Sequence, residues 1–201
     1  ITVPEEYGGA GLGYLEHCVA IEEVSRASAS VGLSYGAHSN LCVNQIARNG
    51  NDAQKRKYLP KLISGDWNGT MNLTEPQAGS NPADMRTVAR RDGDAWVLRG
   101  TKKWIGNGAA GDVIVLYARD EADGQVKAFV VEKDDDGRYP EGYSPEVITG
   151  KVAKRAIHQA ARDLAAVGHL GQDGAVQRGG HAGVDHFHGG NHRHLGLFDP
   201  Q

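Results

Sequence analysis

The sequence predicts an α+β protein with a helical first part and a strand-rich second part. Two observations carry this. From Tyr14 to Arg48 apolar residues recur at helical spacing, while from Thr70 to Glu132 short strand-like runs are separated by turn residues. The two textures meet once, near Asp66, instead of alternating, which argues for layers of different class and against an alternating α/β sheet.

The elements follow in order. Ile1 to Gly13 reads as an extended entry and turn, with Gly8, Gly9, Gly11 and Gly13. Tyr14, Cys18, Ile21 and Val24 place a first helix over Tyr14 to Ala27. Ser28-Ala29-Ser30 supplies a break and a cap. Leu33, Ala37, Leu41 and Gln45 place a second helix over Val31 to Arg48, apolar or small nearly all round and therefore expected to be deeply buried. Asn49-Gly50-Asn51 ends it. Asp52 caps a short helix through Lys57, and Pro60 suits the first turn of another that stops at Gly65.

Strands are expected at Thr70 to Thr74, at Thr87 to Arg91 and at Ala95 to Arg99, the last two joined by the hairpin signal Asp92-Gly93-Asp94. Asp112 to Ala118 reads as a buried strand and Val126 to Glu132 as its partner, with Ile148 to Ala156 a further strand and turn. From about Ala161 the texture changes. Glycines and histidines crowd the tail, neither period persists, and disorder is expected there. His186-x-His188 and His192-x-His194 could chelate a metal adventitiously, but no dedicated metal site is expected.

Bulk properties narrow the function. A formal net charge of −3 gives no reason to expect nucleic acid or an anionic membrane as partner. No apolar run approaches the roughly 18–20 residues of a membrane span. Cys18 and Cys42 do not form a metal or redox motif and read as packing residues, so a reducing compartment is the default. The chain opens without Met, and an N-terminally incomplete fragment is expected.

Two stretches stand out chemically. Met71-Asn72-Leu73-Thr74-Glu75-Pro76-Gln77-Ala78-Gly79-Ser80 runs from a strand into a small, hydroxylic, glycine-bearing loop. Trp104-Ile105-Gly106-Asn107-Gly108 sets a large flat indole beside two glycines. Main-chain N–H groups and hydroxyls in one place, and an aromatic plane in another, suit a ligand with a phosphate at one end and a flat conjugated system at the other. Taken singly, Trp104 reads as a core aromatic, and Thr74 and Ser80 as strand and turn hydroxyls. Glu75, followed by Pro76, reads as a structural turn residue and not as a base.

These stretches resemble the acyl-CoA dehydrogenases. So do Val3-Pro4-Glu5-Glu6-Tyr7-Gly8-Gly9, Gly32 to Leu41 and Lys57 to Leu62. Thr74 to Ser80 and Gly100 to Ile105 match the family's flavin-binding signatures, and the resemblance covers about residues 1–160. It implies part of a helical N-terminal domain over 1–69, a middle β-barrel or β-sandwich domain over 70–160, and no C-terminal four-helix domain. Residues 161–201 then form a low-order Gly/His-rich tail, either genuine or, as expected, an out-of-frame translation of GC-rich DNA.

By the resemblance the cofactor is FAD, contacted by Met71, Asn72, Leu73, Thr74, Gly79, Ser80, Trp104, Ile105 and Gly106. Ser80, Leu33 and Ala37 are expected to meet the acyl-CoA substrate. No catalytic residue is expected in this chain, because the family's glutamate base belongs to the C-terminal domain. The implied activity is α,β-dehydrogenation of a short, branched acyl-CoA thioester, as in leucine and fatty acid breakdown. Electrons would pass to electron-transfer flavoprotein, in a homotetramer of the bacterial cytoplasm or mitochondrial matrix.

Two departures open alternatives. The family usually carries Thr where Gly106 stands, and Gly106 with Ile148 to Ala156 resembles the glutaryl-CoA branch, whereas the first 65 residues resemble the isovaleryl-CoA branch. The other readings are a non-catalytic product with at most weak flavin or acyl-CoA binding, and a His-rich metal-binding appendage.

Overall fold

The computed structural model describes residues 1–93 and 95–149, together with the backbone of three strands at 159–170, 176–178 and 195–198. Helices come first and strands second, as predicted.

Helix α1 spans Tyr14–Ala27 at the predicted bounds, with the Glu16 carboxylate accepting the Gly13 N–H at 2.9 Å. Its buried residue is His17, whose Nε2 lies 2.8 Å from Ser39 Oγ and whose ring stacks on Tyr35. Cys18, expected to pack, is exposed, whereas Cys42 is fully buried.

The second helix departs from expectation. It is α-helical over Ala29–Gly36 (α2), π-helical over Ala37–Val43, and α-helical again over Asn44–Asn49 (α3). The Ser28 hydroxyl accepts the Val31 N–H and caps its start. It is half-buried, not deeply buried: Ala37, Cys42, Val43 and Ile46 enter the core, while Val31, Leu33 and Leu41 stay exposed. The widened i→i+5 turn re-aims the faces of the two α-helical halves, so one continuous apolar stripe never forms.

The two short helices expected after Asp52 are one helix, α4, over Asp52–Ser64 with Pro60 inside it. Pro60 removes one main-chain donor. Tyr58, Leu59 and Leu62 are buried around it, and their packing holds the helix across the break. Asn51 and Gln54 form a reciprocal cap, each side chain bonded to the other's N–H.

The strands are β1 Gly69–Asn72, β2 Val88–Asp92, β3 Ala95–Gly106, β4 Val113–Asp120, β5 Val126–Glu132, β6 Tyr143–Val147, β7 Gln159–Leu170, β8 Val176–Arg178 and β9 Leu195–Phe198. The sheet runs β6-β7-β3-β2-β4-β5-β9, with β1 parallel to the start of β4 and β8 on β7. Strand β4 explains the unbroken apolar run in the sequence. Val113 and Val115 face the helices, in a core with Cys42, Ile46, Tyr58, Leu59 and Leu62. Ile114, Leu116 and Ala118 face a second core with Trp96, Leu98, Phe129 and Tyr143. Tyr143 and Phe129 come from strands near opposite ends of the sheet, so the sheet curls round that second core.

Disorder was expected from about Ala161, yet β7 runs across that point and pairs antiparallel with both β3 and β6. The correction has a physical cause: main-chain pairing asks for no side-chain period, and β3 otherwise presents a long unpaired edge. The paired histidines of the tail and most of the strand expected at Ile148 to Ala156 lie outside the described residues.

Candidate functional site

The first motif begins at the end of β1 and closes into a tight turn. Glu75 N–H donates to Ala78 O at 3.0 Å, and Ala78 N–H returns to Glu75 O at 3.2 Å, with Pro76 at the position its fixed φ favours. The turn aims the Glu75 side chain inward, where it is 3% exposed. There the carboxylate accepts from Lys102 Nζ at 2.7 Å, Arg86 N–H at 2.7 Å, Thr87 N–H at 3.0 Å and Gln77 Nε2 at 2.6 Å. Burial pushes its pKa up, but these donors and the Lys102 charge outweigh burial and hold it at about 2.

Lys102 is the fastening between the motifs. Its ammonium, fully buried in β3, also donates to Leu73 O at 3.1 Å. One residue on, Lys103 N–H donates to Thr74 O at 2.9 Å. Burial pulls the Lys102 pKa down while Glu75 opposes the fall.

Past Lys102 the register of β3 shifts between Lys102 and Ile105. Trp104 sits in this irregularity with φ of 62°, a left-handed conformation that costs a bulky residue energy. The irregularity turns the Trp104 indole out, 49% exposed, and the Ile105 side chain in, 2% exposed. Asn107 is left-handed too, at φ 57°, and is buried. Its Nδ2 donates to Ser34 O on α2 at 2.9 Å, and its carbonyl accepts from Ala110 and Gly111. Gly106 O accepts the Thr70 hydroxyl at 2.6 Å. A Cβ at Gly106 would lie 3.3 Å from the Ala37 Cβ, so the helix presses on the glycine.

The sequence-predicted residues therefore divide into groups. Thr74, Trp104 and Gly106 lie on the clipped segments, and Ala37 meets Gly106 across the helix–sheet junction. Leu33 lies one turn before Ala37 on α2, exposed. Gly79 and Ser80 are exposed beyond the turn, and a Cβ added at Gly79 meets nothing. Among the described residues the hydroxyls of Thr74 and Ser80 take no protein partner. Met71 packs its side chain toward the helical core, and Ile105 buries its own, so both offer a ligand only main chain. Asn72 is fully buried, donating to Tyr143 Oη at 3.0 Å and leaving its Oδ1 without a partner. Leu73 contributes its carbonyl to Lys102.

Several organising residues escaped sequence reasoning. Lys102 was legible: Trp96, Leu98 and Lys102 share parity on β3, and continuing that strand past Arg99 puts Lys102 inside. Asn107 and Ser34 were not, because their bond joins residues far apart in the chain. His38 is half-buried. Its Nε2–H donates to Leu62 O and its Nδ1 accepts Gly69 N–H, each at 2.9 Å, so it pins the entry to β1. Among the described residues no cluster of His, Cys, Asp and Glu could hold a metal, and no helix is long and apolar enough to cross a membrane.

Comparison with known proteins accords with this geometry. A model of the acyl-CoA dehydrogenase N-terminal domain matches residues 1–66, and one of the middle domain matches residues 70–161. The mitochondrial isovaleryl-CoA dehydrogenase of Pongo abelii is 54% identical over 138 residues, covering 66% of this chain and 33% of that protein. An acyl-CoA dehydrogenase of Bacillus subtilis is 41% identical over 140 residues, covering 68% and 37%. Glutaryl-CoA dehydrogenase from Mycobacterium smegmatis superposes with a TM-score of 0.73 at 36% identity, covering 79% of this chain and 39% of that one. The chain thus spans about a third of the length of these curated relatives. With both domain models matched in order, on the segments that Lys102 and Glu75 fasten together, the chain belongs to the acyl-CoA dehydrogenase family.

Proposed function

We propose that this chain builds the flavin-facing half of an enzyme that dehydrogenates a short, branched acyl-CoA thioester between its α and β carbons. The observation that carries the proposal is Trp104, a half-exposed indole held in a left-handed backbone beside the clipped Thr74 segment. Strain of that kind at an exposed aromatic suits a plane reserved for a ligand.

The residues fit FAD. Trp104 offers a face for stacking, and Thr74 and Ser80 offer hydroxyls without protein partners among the described residues. At Gly79 there is open space where the main chain can be approached. A bound FAD supplies the acceptor for a hydride leaving the carbon β to the thioester. This chain's part is to orient: Lys102 and Glu75 fix the Thr74 loop, and Asn107 fixes Gly106 against α2. Related structures carry this cofactor, one from Bacillus anthracis with FAD and one from Mycobacterium smegmatis with FADH2. We further propose Leu33 and Ala37 as the wall for the acyl chain, electron-transfer flavoprotein as the electron acceptor, and a homotetramer as the working form. Either a bacterial cytoplasm or a mitochondrial matrix suits this assignment.

Isovaleryl-CoA is favoured as substrate over glutaryl-CoA by the 54% identity to the first enzyme against 36% to the second. A second reading has its own observation. Glu75, the carboxylate inside the motif, is buried and saturated with donors, so it cannot serve as a base. On that reading the chain binds flavin and thioester but does not remove the α-proton.

The test is the absorption spectrum of the purified chain mixed with FAD, then titrated with isovaleryl-CoA and glutaryl-CoA. A flavin band that shifts at lower isovaleryl-CoA than glutaryl-CoA concentration is expected. A chain that takes up no FAD sinks the proposal, and a shift with glutaryl-CoA alone overturns the substrate.

A further inference from the structure

The irregular end of β3 and the irregular end of α2 meet at one hydrogen bond. Strand β3 stops at Gly106, and Asn107, buried and left-handed at φ 57°, begins the turn beyond it. Asparagine is one of the few residues that take this conformation at low cost. The Asn107 carbonyl accepts the N–H groups of Ala110 and Gly111, each at 2.9 Å, so the turn holds the residue from its own side. The side chain leaves the turn and donates from Nδ2 to Ser34 O at 2.9 Å.

Ser34 lies where α2 hands over to the π-helical segment. Where bonding changes from i→i+4 to i→i+5, donors and carbonyls no longer match one to one. Ala37 N–H, at the start of that segment, is accordingly shared between Leu33 O and Ser34 O. Ser39 Oγ donates back to Tyr35 O at 2.7 Å, an i−4 contact of the kind that bends a helix. Asn107 supplies the junction with a donor from the sheet.

This bond sets a distance. Ser34 and Ala37 are three residues apart and share a helix face. At Ser34 the helix is drawn to Asn107, and at Ala37 it rests on Gly106, where a Cβ would lie 3.3 Å from the Ala37 Cβ. Two successive residues of the sheet side thus engage one turn of helix, the first as a stop and the second as a tie. Trp104, the proposed flavin plane, precedes Gly106 by two residues on β3, and Leu33 precedes Ser34 on α2. Any shift of α2 against β3 therefore changes the separation of Leu33 from the indole.

We propose that Asn107 is a positioning residue that sets the spacing of α2 from β3 and, through it, the bulk of acyl chain that the site accepts. The selectivity rests on the function proposed above; the spacing does not. Asn107 acts through Ser34 O, and Leu33 and Ala37 are the side chains that meet the acyl chain. Without the amide the end of α2 lifts from Gly106, and the site widens toward longer chains.

The experiment compares the 201-residue chain with two variants. Asn107→Gly keeps the left-handed backbone and removes the amide. Asn107→Asp keeps the size and turns an acceptor toward Ser34 O in place of a donor. The first readout needs no ligand. Gly106→Ala is placed in all three backgrounds and urea midpoints are measured. In the wild-type background the added methyl meets Ala37 and should lower the midpoint; with α2 released it should lower it by less than half as much. The second readout is the dissociation constant of isovaleryl-CoA and of octanoyl-CoA, each in excess FAD. The wild type is expected to favour isovaleryl-CoA. Both variants at Asn107 should move the ratio of the two constants about tenfold toward octanoyl-CoA, the discrimination that one methylene provides in an apolar pocket. A residue that only stabilised the fold would weaken both thioesters alike, and an unchanged ratio overturns the selectivity. A Gly106→Ala cost equal in all three backgrounds overturns the spacing. Coupling in the cycle with no thioester bound by any of the proteins leaves the spacing standing, while the acyl-CoA reading and the selectivity built on it fall.

Discussion

Lys102 Nζ lies 2.7 Å from Glu75 Oε1, with the two side chains 0% and 2% exposed, and this contact joins the two segments of the candidate site. Removing one member of a buried pair strands the other charge. Lys102→Met should therefore destabilise the fold by about 3–5 kcal/mol, read as a lower urea midpoint. The double change to Met and Gln should cost less than the sum of the single changes, because the stranded charge is gone. Equal additivity in the cycle would show that the pair carries no coupling.

The same carboxylate predicts an acid transition. Glu75 has a folded pKa of about 2 against its ordinary 4.5, so the folded state holds the ionised form more strongly. Its contribution is fully present above 4.5 and is lost as the pH falls toward 2, amounting to about 3 kcal/mol by linkage. Unfolding free energies measured between pH 6 and 2 should fall through this window (~4.5 to ~2), and Glu75→Gln should flatten the slope.

His38 adds a second step at higher pH. Burial lowers its pKa below the ordinary 6.5, and the hydrogen bond to Leu62 O only partly offsets this. The Gly69 N–H bonded to Nδ1 requires the neutral ring. With a depressed folded pKa, the unfolded state protonates first. Stability is complete above 6.5 and declines as the pH falls below it. His38→Gln should lose stability at neutral pH and no longer show that decline in a pH series of urea melts.

Gly106 is set by the helix above it. A side chain there meets Ala37 at 3.3 Å, so Gly106→Thr should overpack the junction and cost about 1–3 kcal/mol. Ala37→Gly should make the added side chain cheaper, measured as a coupling in a double-mutant cycle of urea midpoints. A threonine accepted at no cost in the wild-type background would contradict the contact.

What the sequence made legible follows what is local. Helix α1 was readable to its end residues because its spacing and the Ser28 break that follows it are both local in the chain. Its packing was not: it buries His17 and exposes Leu15 and Val19, since spacing tells which residues are apolar and not what covers them. The π-helical segment over Ala37–Val43 packs on β1 and β4, and α4 runs across Pro60 with Tyr58, Leu59 and Leu62 in the same core, neither of which is local in the sequence. For the candidate site, the motifs announced Thr74, Ser80 and Trp104. The fastening by Lys102 required extending β3 beyond Arg99, and the Asn107–Ser34 bond required knowing which helix lies over the sheet.

The central claim is that the Trp104 indole and the Thr74 loop form a flavin surface. Its most direct test is a fluorescence titration of FAD into the purified chain, wild type against Trp104→Ala. A stacked ring is worth about 1–3 kcal/mol, so the variant should bind FAD roughly five- to hundredfold more weakly than wild type. An identical dissociation constant for the two proteins, or no binding by the wild type, would contradict it.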